Sequence, residues 1–94
     1  MDKIEKLAET FKVFADPTRL KLIKLLLESK NPLCVNALSK KLSVTQSAVS
    51  QHLRILKQAE LVKGNKCGYF VHYQIDKNNF EQFDKLFQKL FNSK

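Results

Sequence analysis

A segment in the middle of the chain combines side chains that could read the edges of bases in duplex DNA. Between positions 46 and 57 the polar residues are amides, hydroxyls, cations and one histidine, and no carboxylate occurs from Lys30 to Ala59. Arginine can make two hydrogen bonds to guanine, glutamine can make two to adenine, and serine adapts to several partners. On a helix, six of these residues would share one face: Gln46, Ser47, Ser50, Gln51, Arg54 and Lys57.

The apolar residues of the same segment have helical spacing. Leu53 and Leu56 fall within about 40° of Val49 on a helical wheel, so the three form one buried stripe. Thr45 is a suitable N-cap, and the pattern predicts a helix over 46–59. His52 lies beside the stripe, where we interpret it as a hydrogen-bonded residue rather than a ligand. A short helix over 35–42 and a tight connection precede this helix, which together predict a helix-turn-helix.

The elements that must position this segment are predicted from periodicity and capping residues. Apolar spacing predicts a helix over 3–15, and Asp16-Pro17 predicts the start of a helix that ends near Ser29. Period-two alternation predicts a strand over 69–75, which follows a short strand at 61–63 and a loop over 64–68. Asp76 is the expected N-cap of a last helix over 77–91. We therefore predict a mainly α fold with a β-hairpin wing (α+β), a winged helix-turn-helix of order ααααββα that forms a single domain over 1–94.

Positive charge is concentrated in the same part of the chain. The net charge is +8, and residues 29–66 carry seven lysines and arginines against the single acid Glu60. Such a local excess is expected of a protein that binds a polyanion, although a basic surface also serves solubility. Cations around the predicted reading helix and on the wing could neutralise phosphates, which adds affinity without sequence information. The candidate cations are Lys40, Lys41, Lys57, Lys63 and Lys66. Tyr69 on the wing is a further candidate for contact with the DNA backbone or the minor groove.

The last predicted helix carries an apolar stripe suited to pairing. Phe80, Phe83, Phe87 and Leu90 follow heptad spacing. Because an exposed stripe of this size is unusual in a monomer, we expect the first and last helices to form a homodimer interface. A two-fold dimer would place two reading helices on a palindromic DNA operator. The alternative is that the two helices pack against each other within one chain.

The sequence argues against several other classes of protein. No apolar run approaches the roughly 18 residues that cross a bilayer, and the N-terminus lacks a secretory signal, so we expect a cytoplasmic protein without a membrane partner. No catalytic constellation or phosphate-binding glycine loop is recognisable, so we predict no enzyme and no cofactor. The alternative function is a winged-helix module whose basic face binds an acidic protein without preference for any DNA sequence.

Three motifs resemble the ArsR/SmtB family of repressors, in the family's order. They are the opening of the second helix at 14–23, the reading helix at 47–53 and the wing at 68–73. The resemblance implies a homodimeric repressor built through the first and last helices and released from its operator by an inducer, often a metal or arsenical ion.

The sequence departs from the metal-sensing members of that family. Of the family's Cys-Val-Cys-Asp motif, this chain keeps Cys34 but has Asn36 in place of the second thiol, and residues 77–94 contain no histidine. One thiolate is too few for a thiophilic metal, so we predict no metal site. Cys34 is a candidate sensor as a redox-active thiol; the alternative is that the protein senses no metal at all.

Overall fold

A computed structural model describes residues 2–92 of the chain. The helices and strands are, in chain order, α1 (Lys3–Phe14), α2 (Pro17–Glu28), β1 (Leu33–Cys34), α3 (Val35–Leu42), α4 (Gln46–Gln58), β2 (Val62–Cys67), β3 (Phe70–Ile75) and α5 (Lys77–Phe91). This architecture confirms the predicted fold class. No helix among these residues is long and apolar enough to cross a membrane.

Side-chain caps begin the helices at the predicted residues. The Asp16 carboxylate accepts the backbone N–H of Arg19 at 3.0 Å, and Pro17 occupies the first turn of α2. The Thr45 hydroxyl accepts the N–H of Ala48 at 3.1 Å at the start of α4. Each cap satisfies a backbone donor that has no partner inside its helix, which explains why these boundaries were predictable.

The sheet differs from the prediction in two ways. It has three antiparallel strands in the order β1-β3-β2, because Leu33 and Cys34 pair with Tyr73 and His72. A two-residue strand has too little alternation to be recognised in a sequence.

The predicted loop over 64–68 is also wrong. Strand β2 continues to Cys67, which pairs with Phe70, so the turn consists only of Gly68 and Tyr69. Gly68 has φ +65°, the backbone conformation that favours glycine at the first position of such a turn. Tyr69, predicted as the first residue of the strand, therefore lies in the turn.

The hydrophobic core lies between the helix-turn-helix and the sheet. Helices α2, α3 and α4 supply most of it, and the start of β2 and the end of β3 complete it. The core residues are Leu22, Ile23, Leu26, Leu38, Val49, Leu53, Leu56, Leu61, Val62 and Ile75.

Helices α1 and α5 pack against each other at the edge of this core, which Phe14 and Phe80 contact. The ring of Phe11 lies 5.7 Å from that of Phe83, and the ring of Phe14 lies 5.2 Å from it, both in edge contacts. The intrachain alternative is therefore observed for these inner rings. It leaves an outer apolar edge uncovered, since Ile4 and Phe91 are each 67% exposed.

Candidate nucleic-acid interface

The turn between α3 and α4 sets the angle at which α4 leaves the core. Ser43 is the C-cap of helix α3, and its left-handed backbone (φ 54°) turns the chain sharply. The Ser39 hydroxyl donates to the carbonyl oxygen of Val44, and the Val44 N–H donates to the Ser39 carbonyl at 3.2 Å. Because Thr45 then caps α4, one short segment ends the first helix and begins the second.

Helix α4 has one buried face and one exposed polar face. Its buried residues are Val49, Leu53 and Leu56, as the spacing predicted. The opposite face consists of the six residues predicted to read bases, and every one of them is exposed: Gln46, Ser47, Ser50, Gln51, Arg54 and Lys57. The structure thus brings these side chains to a common surface, and their contact with DNA remains a prediction.

Gln46 is held by a partner that the sequence analysis missed as a site residue. Its side-chain amide donates to the Asn36 side-chain oxygen at 3.1 Å. This bond ties the first turn of α4 to the first turn of α3, and it leaves the Gln46 oxygen and one N–H available to a base. Since the two residues lie on different helices, neither periodicity nor a local motif could reveal their contact.

His52 is hydrogen-bonded, as its position beside the apolar stripe predicted. The Arg19 guanidinium lies with Nη1 3.3 Å from His52 Nδ1, and Asp16 Oδ2 lies 3.8 Å from the same nitrogen. No group of three or more potential metal-binding side chains occurs among residues 2–92. These contacts confirm the interpretation of His52 as a partnered residue at the edge of the stripe.

Among the residues that the structure describes, no carboxylate forms an ion pair with the cations around α4. Within residues 2–92, Glu9 pairs with Lys12, and Asp16 lies 3.8 Å from His52, a pair that is ionic only when the imidazole is protonated. The arginine and lysines proposed to contact DNA therefore keep their charge available for phosphates. Lys41 and Lys66 are exposed, as is Tyr69, which projects into solvent from the turn of the wing.

Comparison with known proteins identifies the family. Over residues 16–63 the chain matches the family described as "Bacterial regulatory protein, arsR family". The chain belongs to this family. It is 42% identical over 90 residues to a protein of Methanocaldococcus jannaschii described as an uncharacterized HTH-type transcriptional regulator, covering 96% of this chain and 100% of that protein.

Two further comparisons extend this result. A transcriptional repressor SmtB homolog of Synechocystis sp. is 39% identical over 79 residues, covering 84% of this chain and 58% of that protein. The solution structure of Mb0332 from Mycobacterium bovis is described as a homodimeric winged helix-turn-helix DNA-binding domain. It is 22% identical, with a TM-score of 0.74 over 95% of this chain and 81% of that one. The ArsR-family chain is therefore a DNA-binding transcriptional regulator with a winged helix-turn-helix fold.

The two cysteines of this ArsR-family chain are free and distant from each other. Cys34 is half-buried at the N-cap position of α3, where its side chain makes no capping hydrogen bond. Cys67 is exposed at the end of β2. Strand β3 lies between β1 and β2, so two strand spacings, about 10 Å, separate the strands that carry the thiols. This exceeds the Cα separation that a disulfide can bridge.

Proposed function

We propose that this protein is a cytoplasmic repressor that acts as a homodimer on a palindromic operator and is released by an inducer. The observation that carries this proposal is the exposed face of α4. It combines two amides, two hydroxyls and two cations, and no carboxylate between residues 2 and 92 pairs with its cations. Such a face can enter the major groove without electrostatic repulsion and can form hydrogen bonds with bases.

The uncovered edge of α1 and α5 supports the homodimer. A Cα radius of gyration of 14.0 Å exceeds the roughly 12 Å expected of a compact domain of this length, so the single chain is elongated. Exposed apolar side chains continue along both helices, and a two-fold partner would cover them on both copies at once. They are Ile4, Phe11, Phe87, Leu90 and Phe91. The homodimeric assembly of Mb0332, which shares the fold, is consistent with this arrangement.

Within each copy, base reading and phosphate contact fall to different residues. We assign the contacts with base edges to residues between the start and the middle of α4: Gln46, Ser47, Ser50, Gln51 and Arg54. Lys57, Lys41 and Lys66 contact phosphates in this proposal, and Tyr69 contacts the duplex from the wing. The first group supplies selectivity and the second supplies salt-dependent affinity.

Selection of bound duplexes from a random pool tests the function directly. The protein should enrich a palindromic sequence, and its affinity for that sequence should fall steeply as the salt concentration rises. Enrichment of no sequence at low ionic strength would contradict the proposal, and so would enrichment of a site without two-fold symmetry.

Two variants distinguish the residues that read bases from those that neutralise phosphates. Arg54→Ala should cost about 1–3 kcal/mol in operator binding and relax the preference at one base pair of each half-site. Lys66→Ala should weaken binding to all duplexes similarly and reduce the slope of log affinity against log salt by about 1 per copy. Unchanged operator selectivity in Arg54→Ala would show that the reading face is assigned wrongly.

Cys34 remains a candidate for the sensing of the inducer. A charged or bulky adduct on this thiol would form at the first turn of α3, two residues before Asn36, which holds Gln46. Operator binding should be measured with an oxidant, arsenite or zinc. A redox role predicts release of the wild-type protein by oxidant but not of Cys34→Ser, with Cys67→Ser as the matched control. Equal release of all three proteins would exclude Cys34 as the sensor.

A further inference from the structure

Arg19 connects three helices through its side chain and backbone. Its Nε donates to the Val13 carbonyl oxygen at 2.7 Å, and its Nη1 lies 3.3 Å from His52 Nδ1 on α4. Its backbone N–H donates to the Asp16 carboxylate, which caps α2. The guanidinium therefore spans the last turn of α1, the first turn of α2 and the middle of α4.

Two of these contacts satisfy backbone groups that have no partner inside their own helix, the Val13 carbonyl oxygen and the Arg19 N–H. Val13 lies in the last turn of α1, where the carbonyl oxygens accept no hydrogen bond from an N–H of the same helix. The guanidinium can only donate, so the bond to His52 requires a neutral imidazole whose Nδ1 accepts and whose proton is on Nε2. His52 and Asp16 are both partly shielded from solvent, with side chains 22% and 31% exposed.

The positions of these helices give the contact a consequence for DNA recognition. Helix α1 carries part of the proposed dimer face, including Ile4 and Phe11, whereas α4 carries the proposed reading face. His52 directly follows Gln51 in α4 and precedes Arg54 by two residues. A dimer can bind two half-sites together only if α4 keeps a fixed orientation relative to the dimer axis.

We propose that Arg19 and His52 are positioning residues for operator recognition: their contact fixes α4 against α1 and thereby sets the half-site spacing that the dimer accepts. This inference rests on the proposed function, because it presupposes a symmetric operator. It assigns neither residue a direct contact with DNA. It also explains why the link joins helix termini and the flank of the reading helix rather than two positions within the core.

A double-mutant cycle tests the link. Arg19→Met, His52→Leu and the double variant are compared with the wild type on the selected operator, on an unrelated duplex and on operators with the half-sites one or two base pairs further apart. Each single change should weaken operator binding about tenfold, and the double variant should be no weaker than either single variant. Affinity for the unrelated duplex should stay within about twofold, because the lysines that contact phosphates are unchanged. Preference for the native spacing should be lost.

Two further variants distinguish positioning from a general loss of structure. His52→Gln keeps an acceptor for the guanidinium and should recover most of the spacing preference, whereas Lys21→Met removes an exposed charge of α2 and should change operator binding less than twofold. If Arg19→Met does not fold, Arg19→Lys provides the same comparison, because an ammonium cannot span the two acceptors as the guanidinium fork does.

The outcomes are distinct. Independent effects in the double variant, or a retained spacing preference in both single variants, would overturn the proposed link. An equal loss of affinity for every duplex, in step with a loss of thermal stability, would overturn it as well. By contrast, a wild-type protein that prefers no duplex would refute the repressor function itself, before any variant is compared.

Discussion

At the residue scale, the two glycines of the wing have different structural roles, and the residues around them in the sequence do not reveal the difference. Gly64 and Gly68 flank a short polar segment, which predicted a loop between them. Gly68 does form the turn, with φ +65°. Gly64 instead lies within β2 opposite Tyr73, where a Cβ atom would come within 2.9 Å of Val71 Cγ1 and 3.0 Å of Tyr73 Cε1. The residue is thus required by a close approach across the sheet, which depends on tertiary packing.

Alanine at these two positions should therefore destabilise the protein for different reasons. Gly64→Ala overpacks the sheet and should lower the free energy of unfolding by about 1–3 kcal/mol. Gly68→Ala has open space but a strained backbone, and should cost about 1–2 kcal/mol. Adding Val71→Ala should recover part of the loss in Gly64→Ala and none of it in Gly68→Ala. Urea unfolding at one fixed protein concentration measures both, and equal responses to Val71→Ala would contradict this account.

At the element scale, the sequence determines helices well because their signals are local. The caps Asp16, Thr45 and Asp76 and the apolar periodicity place the ends of the helices close to where the structure has them. Contacts between elements were not predictable in this way. The bond from Arg19 to His52 spans 33 positions and the bond from Gln46 to Asn36 spans 10. The reading face was therefore predicted from α4 alone, whereas the residues that orient it required the structure.

The Asp16 cap of α2 makes the stability of the fold depend on pH. The backbone N–H of Arg19 lowers the pKa of the Asp16 carboxyl below its ordinary value, and the nearby His52 and Arg19 side chains add to this effect while burial opposes it. A carboxyl with a lower pKa in the folded state stabilises the fold above its unfolded pKa, and this contribution is lost as the pH falls through the folded pKa.

Asp16→Asn keeps a capping oxygen but removes the charge. Its unfolding temperature should therefore fall less between pH 5 and about pH 2 than that of the wild type, when both are measured by circular dichroism at one concentration. Asp84→Asn, which changes an exposed carboxylate that caps no helix, is the matched control and should follow the wild type. Parallel curves for Asp16→Asn and the wild type would show that the charge of Asp16 contributes nothing to stability.

At the scale of the whole molecule, charge and apolar surface are separated along the chain. The excess of positive charge lies between positions 29 and 66, whereas the uncovered apolar edge belongs to α1 and α5 at the two ends. The distribution of charge along the chain and the heptad spacing of the last helix predicted the positions of both surfaces. They could not predict how the heptad stripe divides, because that depends on the antiparallel packing of α1 and α5: Phe80 and Phe83 are half-buried, while Phe87 and Leu90 stay exposed.

This separation predicts that oligomerisation can be disrupted without disturbing the reading face. Burial of one phenylalanine contributes about 1.5–3 kcal/mol, and a two-fold interface contains the residue twice. Phe91→Asp should therefore raise the dimer dissociation constant by a factor of about 10²–10⁴. Phe70→Asp alters a phenylalanine of similar exposure on the wing and should remain dimeric.

Analytical ultracentrifugation compares the two variants, and a binding assay with one half-site tests whether α4 still reads DNA. Phe91→Asp should bind the single half-site as the wild type does but lose the additional affinity for the palindrome. Sedimentation of Phe91→Asp as an undisturbed dimer would exclude this end of α5 from the interface, because two buried aspartates could not be accommodated there without a large desolvation cost.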